Sequence, residues 1–179
     1  TKYEKPSINT LHVLKQPENA THFIDTSAAV ISTLFEPAEN NFEKHAEDDY
    51  IDFYYERNIP VMLSREGPKA AVADVNGDGL QDIYVGGAAA QAGQLYIQTT
   101  AGFKKSDQSI FQSFADFEDV AVLFLDVDGD KDQDLFIGAG GNNLSGNKRQ
   151  LQHRLYRNDG KGNFTIDINA FPPNEMNIS

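Results

Sequence analysis

Apolar residues in the second half of the chain fall in short runs separated by Gly, Asn and Asp. Ala71-Val72-Ala73, Ile83-Tyr84-Val85, Leu95-Tyr96-Ile97, Ala121 to Leu125, Leu135-Phe136-Ile137 and Leu155-Tyr156 are the clearest. Short apolar runs punctuated by turn residues are what a meander of antiparallel hairpins requires, and they are too short for amphipathic helices. Tyr and Phe supply all the aromatic side chains, and such rings suit half-buried strands.

The runs repeat. Placing Asp74 over Asp126, an offset of 52 residues, brings the segment Ala71 to Gly87 into line with the segment Ala121 to Gly140. Downstream, Leu95-Tyr96-Ile97-Gln98 with Ala101-Gly102-Phe103 matches Leu155-Tyr156-Arg157-Asn158 with Lys161-Gly162-Asn163-Phe164. Each unit reads as strand, acidic loop, strand, variable loop, third strand, Gly-containing turn and short fourth strand. A four-stranded antiparallel unit recurring at roughly 40–50 residues is the pattern of a propeller blade. The expected architecture is all-β, with blades of four antiparallel strands that form a fragment of a larger β-propeller. The expected segments are 1–66, an irregular or degenerate blade, 67–118, the first repeat, and 119–179, the second. Within the first, His22 to Phe35 contains strand-like stretches, Pro37 to Asn41 reads as a turn, and Ile51 to Tyr55 as a strand or a helical turn.

Between the first two strands of each unit lies a run of alternating acids. The first is Asp74, Asn76, Asp78, Gly79 and Asp82; the second is Asp126, Asp128, Asp130, Asp132 and Asp134. Calcium takes about six to eight hard oxygen ligands, and side chains at loop positions 1, 3 and 5 converge on one centre when the backbone curls. Gly at position 6 permits the sharp turn. An EF-hand would close with Glu at position 12, but Val85 and Ile137 stand there and the flanks are strand-like, which excludes it. Asp, Asn and Gly are also ordinary turn residues, so one such loop could be only a turn. Two in phase argue otherwise, because five carboxylates in nine residues repel one another strongly without a cation.

These loops, with Ile83-Tyr84-Val85-Gly86 and Leu135-Phe136-Ile137-Gly138 after them, resemble FG-GAP or VCBS-type repeats, the blades of integrin-α-like propellers and of many secreted bacterial proteins. Ser64-Arg65-Glu66-Gly67-Pro68 is similar to bacterial members related to cartilage acidic protein. The resemblance spans about residues 66–166 and implies one Ca²⁺ per loop, two in all. It implies Asp74, Asn76, Asp78, the Leu80 carbonyl and Asp82 as ligands of the first ion. Asp126, Asp128, Asp130, the Asp132 carbonyl and Asp134 would hold the second. Lys131 replaces Gly at position 6 of the second loop, so a positive φ there would strain it by about 1 kcal/mol.

Charge and composition narrow the partners. Fifteen Lys and Arg against 27 Asp and Glu give a net charge of −12, with no basic run, so nucleic acid is an unfavourable ligand. There is no cysteine for disulfides or thiolate sites, and no apolar run long enough to span a bilayer. Gly138 to Asn143 lacks the Gly-Lys-Ser/Thr ending of a phosphate loop and reads as a flexible loop. Asp159 to Asn163 reads as a hairpin turn. His12, His22, His45 and His153 sit in no zinc-ligand spacing; His45, among Glu43, Glu47, Asp48 and Asp49, reads as part of a solvated charged face. Asn19, Asn143, Asn163 and Asn177 open Asn-x-Ser/Thr triplets.

No catalytic constellation emerges. The expected function is a calcium-stabilised, non-catalytic module on an exported, periplasmic or cell-surface protein, binding a protein or carbohydrate ligand. The competing expectation is an accessory or scaffold domain of a secreted polysaccharide-active enzyme. Exposed blade faces are a route to self-association.

Overall fold

The computed structural model describes residues 41–88, 90–141 and 148–172. The chain divides into two compact units, Thr1–Ala38 and Glu39–Ser179, and every described residue lies in the second. The strand-like stretch His22 to Phe35, the turn before Asn41, His12, His22, Asn19, Asn143 and Asn177 lie outside the described residues.

Two four-stranded antiparallel sheets form the structure. The first contains β1 (Ala70–Ala73), β2 (Asp82–Val85), β3 (Gln94–Thr99) and β4 (Gly102–Ser106) in that order. The second contains β5 (Glu118–Leu125), β6 (Asp134–Gly140), β7 (Arg154–Asn158) and β8 (Phe164–Ile166). The sheets are in phase with the sequence repeat. Tyr84 stands opposite Leu95, and Phe136 opposite Leu155; Gln98 faces Phe103, and Asn158 faces Phe164. Period-2 alternation along each strand leaves one face for each neighbour. The meander expected from the sequence is the one that forms.

A short helix, α1 (Ser109–Gln112), joins the sheets and inserts Phe111 between them. Its ring centroid lies 5.2 Å from Tyr84 of the first sheet, and 5.4 Å from Tyr156 and 6.0 Å from Phe164 of the second. Ala73, Val75, Tyr84 and Leu95 on one side and Phe124, Leu135, Ile137 and Tyr156 on the other complete a buried core. Aromatic contacts of this kind add about 0.5–1.5 kcal/mol each beyond their area.

A buried polar lock lies at the opposite end of the sheets from the acidic loops. Asp119 accepts from Gly87 N–H at 2.8 Å and donates its own N–H to the Gly87 carbonyl at 3.1 Å. Its other carboxylate oxygen accepts from Arg154, whose guanidinium lies 4.6 Å over Phe117 and 5.2 Å over Phe114. A Cβ on Gly93 would collide with the Tyr84 hydroxyl, so this close approach requires glycine.

Three segments differ from, or sharpen, the sequence expectation. Gly138 to Gly140 are not loop: they continue β6 beside a bulge between Asp119 and Ala121, and added Cβ atoms would crowd Ala121 and Val120. Asp52–Tyr54 is a 3₁₀ turn, with Asp52 buried and accepting from the Ser64 hydroxyl. The charged segment from Glu43 to Asp49 is only partly a solvated face. Glu43 N–H donates to the Tyr96 hydroxyl at 2.9 Å, and half-buried His45 pairs with Glu47 at 2.6 Å.

Candidate metal centres

Both acidic loops connect the first strand of a sheet to its second, Asp74 to Gln81 between β1 and β2, and Asp126 to Gln133 between β5 and β6. They are built alike. Asp74 Oδ1 accepts from Gly77 N–H at 2.7 Å and Oδ2 from Gly79 N–H at 2.8 Å. Asp126 Oδ1 accepts from Gly129 N–H at 2.7 Å and Oδ2 from Lys131 N–H at 3.1 Å. At positions 3 and 5, Asn76 caps Asp78 N–H and Asp78 caps Leu80 N–H. In the second loop Asp128 caps Asp130 N–H and Asp130 caps Asp132 N–H. Each loop therefore curls around its own acids.

That curl needs left-handed backbone twice per loop. Gly77 and Gly129 at position 4 have φ of 76° and 84°, and Gly79 at position 6 has 86°. Lys131, also at position 6, has φ 77° without the freedom of glycine. The strain anticipated for it is present.

In the second loop, Asp126, Asp128 and Asp130 each offer a carboxylate oxygen, all within 4.8 Å of one another. Hard, anionic oxygens at that spacing are the donor set a hard divalent cation takes, so this cluster can hold a metal ion. In the first loop the Asn76 amide lies 3.1 Å from Asp78 Oδ2.

Position 9 behaves differently. Asp82 and Asp134 open the second strands and are buried. Asp82 accepts from Val75 N–H at 3.0 Å and Gln98 N–H at 2.8 Å; Asp134 accepts from Val127 N–H at 3.2 Å and Asn158 N–H at 2.9 Å. Each carboxylate thus clamps the start of its loop to the third strand. A carboxylate oxygen has capacity for more than one interaction, so the clamp leaves lone pairs for a cation.

Electrostatics separates the loops. Desolvation pushes Asp74 up, but N–H donors from Gly79, Gly77, Asp78 and Asn76 outweigh it and hold the carboxyl below its ordinary value. Asp132 is raised to about 6, first by desolvation and then by Asp130, Asp134 and Asp128. Its carboxylate turns toward Gly160 rather than joining the cluster of three.

Two residues that spacing alone did not single out complete the arrangement. Arg157 Nη1 lies 3.2 Å from Asp128 and 3.3 Å from Asp134, placing a protein cation beside the second loop. Asn158 Nδ2 donates to the carbonyls of Val75 and Gln133, one in each loop. Their alignment with Ile97 and Gln98 was the available signal. The loops flank a cleft of about 550 Å³ lined by Asp74, Gly77, Gln81, Asp130, Lys131 and Asp132 among others.

The fold and these loops define the class, an all-β protein of four-stranded blades with an acidic loop between the first two strands of each. Residues 74–137, from the first acid of one loop to the strand after the other, match the family described as FG-GAP-like repeat. Over that segment the chain is similar to FG-GAP-like repeats. Searches of curated proteins and of solved structures found no match.

Proposed function

We propose that this chain is a calcium-stabilised, non-catalytic binding module of an exported or cell-surface protein, with a protein or carbohydrate as its ligand. The observation that carries the calcium reading is the convergence of Asp126, Asp128 and Asp130 within 4.8 Å on a loop whose hydrogen bonding is repeated at Asp74 to Asp82. All the donors are oxygens, which favours Ca²⁺ over softer metals. The ligands proposed are Asp74, Asn76, Asp78, the Leu80 carbonyl and Asp82 for one ion, and Asp126, Asp128, Asp130, the Asp132 carbonyl and Asp134 for the other.

The ion's role is structural. Extracellular calcium modules bind at about 10⁻⁴–10⁻³ M, so at about millimolar ion each site adds roughly 0.4–1.4 kcal/mol by mass action. That braces a loop and supplies no reaction step. FG-GAP-like repeats as a family support a binding role, and the loop-bearing end of the sheets is where a ligand would meet the module.

Calcium titration by calorimetry, with melting followed in chelator and in added ion, tests the first half. Two sites and a higher melting temperature with calcium are expected; fewer than two sites, or indifference to chelator, refutes the assignment. A glycan array and capture by candidate surface proteins test the second half, and turnover of a polysaccharide would overturn the non-catalytic reading.

A further inference from the structure

Phe53, Tyr54 and Tyr55 stand together in solvent, with Tyr54 74% and Tyr55 72% exposed. Exposed rings in a row are unusual on a soluble surface, and aromatic side chains of this type dominate protein interfaces. The segment that carries them is firmly built. Tyr54 N–H donates to the Ile51 carbonyl at 3.1 Å, and the N–H groups of Tyr55 and Glu56 both donate to the Asp52 carbonyl at 2.8 Å. The buried Asp52 carboxylate accepts from Ser64 N–H at 3.3 Å and from the Ser64 hydroxyl. Ser64 belongs to the segment that enters β1 at the end away from the first acidic loop. Arg65 Nη2 donates to the Asp48 carbonyl at 2.8 Å and braces the stretch from its other side.

The ring of Tyr55 is held in place as well. It stacks on Tyr50 with centroids 5.1 Å apart and planes 3° from parallel, an offset stack that covers part of one face and leaves the other to solvent. An exposed ring already fixed in orientation loses little side-chain freedom when a partner lies on it. The charges around the pair are mostly negative. From residue 48 to 57 the acids are Asp48, Asp49, Asp52 and Glu56, against one base, Arg57. The Asp48 carboxylate accepts from Tyr50 N–H at 2.9 Å. Desolvation first, then Asp52, Tyr55, Glu56 and Asp48, raise the Tyr50 hydroxyl above its ordinary pKa, so these carboxylates lie within electrostatic reach of the stacked rings. A π face in a negative field favours a cation.

We propose that Tyr54 and Tyr55, with Glu56 beside them, form a docking site for an arginine side chain of a basic protein segment. The planar guanidinium stacks on the open face of Tyr55, and its N–H groups reach the neighbouring carboxylates. Lysine, a compact and strongly hydrated charge, matches a flat ring less well, and a neutral sugar gains nothing from the negative field. The net charge of −12 steers a basic partner toward the chain, and the stacked rings fix where it stops. The site needs no calcium and uses none of the acidic-loop residues, so its failure leaves the reading of the loops standing.

The full chain has seven tyrosines, so fluorotyrosine labelling gives seven fluorine NMR signals, assigned by replacing each tyrosine in turn with Phe. At constant calcium the labelled chain is titrated with a Gly-Arg repeat peptide, and in parallel with Gly-Lys and Gly-citrulline repeats and a neutral cello-oligosaccharide. The arginine peptide is expected to shift the Tyr54 and Tyr55 signals and to leave those of buried Tyr84, Tyr96 and Tyr156 in place. Tyr55→Leu and Glu56→Gln are each expected to weaken its binding at least about threefold, as added salt does. Both side chains are exposed, so the fold persists in these variants, which the unmoved signals of the buried tyrosines check. Tyr54 and Tyr55 signals that stay still overturn the proposal, whether or not the peptide binds elsewhere on this acidic chain. Equal affinity for the lysine or citrulline peptide overturns it as well. A stronger shift of the two signals by the oligosaccharide would make the pair a sugar platform and overturn it too.

Discussion

Asn158 donates through Nδ2 to the Val75 carbonyl at 2.7 Å and to the Gln133 carbonyl at 3.1 Å. One buried amide on β7 therefore ties position 2 of the first acidic loop to position 8 of the second. Its Oδ1 accepts from Gly162 N–H at 3.1 Å, which folds the β7–β8 turn against the first loop. Removing the side chain leaves at least two carbonyls short of a partner. Asn158→Ala is expected to cost about 1–3 kcal/mol in urea unfolding, and to reduce the stabilisation that calcium gives at both loops. A loss confined to one loop's calcium response would show that the amide does not couple them.

The contacts of Asn158 span 83 residues, which explains why spacing did not reveal them. What was legible was local. Apolar runs between Gly, Asn and Asp gave the meander, and the Asp74-to-Asp126 offset gave the acidic loops in register. What was illegible depended on packing. Glu118 and Asp119 start β5 with acidic side chains, which reads as loop until Arg154 is seen beside Asp119. Gly138 and Gly140 read as loop because glycine weakens a strand; here they admit Ala121 and Val120 of the neighbouring strand. The four residues of α1 are too few for a helical period, so Phe111 was not visible as a wedge.

Position 6 of the loops offers a matched pair of substitutions. Gly79 and Lys131 share left-handed φ values of 86° and 77°. Gly79→Ala is expected to destabilise by about 1 kcal/mol, because a Cβ is strained there even with open space around it. Lys131→Gly relieves comparable strain but loosens the unfolded chain, so its effect on stability should stay within about 1 kcal/mol. Thermal unfolding without calcium checks both; a strongly destabilised Lys131→Gly would mean that the lysine contributes more than its backbone strain costs.

Acid should separate the two proposed calcium sites. Asp132 has its folded pKa raised to about 6, above the ordinary carboxylate value. The folded state therefore holds that proton more tightly than the unfolded chain. Stability from this group is highest below the unfolded pKa and falls as pH rises through about 6. Asp74 is shifted the other way, so its contribution is present above the unfolded pKa and is lost as pH falls through the lowered folded value. Between about pH 7 and pH 5, protonation of the Asp132 carboxylate removes negative charge beside the second loop and should weaken calcium there more than at the first, where Asp82 is also raised, first by desolvation. Calorimetric isotherms at the two pH values check this, and Asp132→Asn should flatten the pH dependence. Equal weakening of both sites would contradict it.

Arg157 sets the second loop apart most sharply. Its guanidinium reaches Asp128 at 3.2 Å, Asp134 at 3.3 Å and Asp167 at 3.4 Å, where the first repeat has Ile97. With Asp128 about half exposed, solvent screens that contact, so it adds little stability. Against buried Asp134 the arginine supplies the counter-charge to a carboxylate otherwise held by two backbone N–H groups. Toward an incoming divalent ion, however, it is a like charge beside the candidate ligands. Arg157→Gln should therefore move two quantities in opposite directions. Stability in chelator falls, while calcium affinity at the second loop rises several-fold. Added salt should narrow the affinity difference between wild type and Arg157→Gln, since screening weakens the repulsion that the substitution removes. If affinity instead falls with the arginine gone, Arg157 orders Asp128 and Asp134 for the ion rather than competing with it.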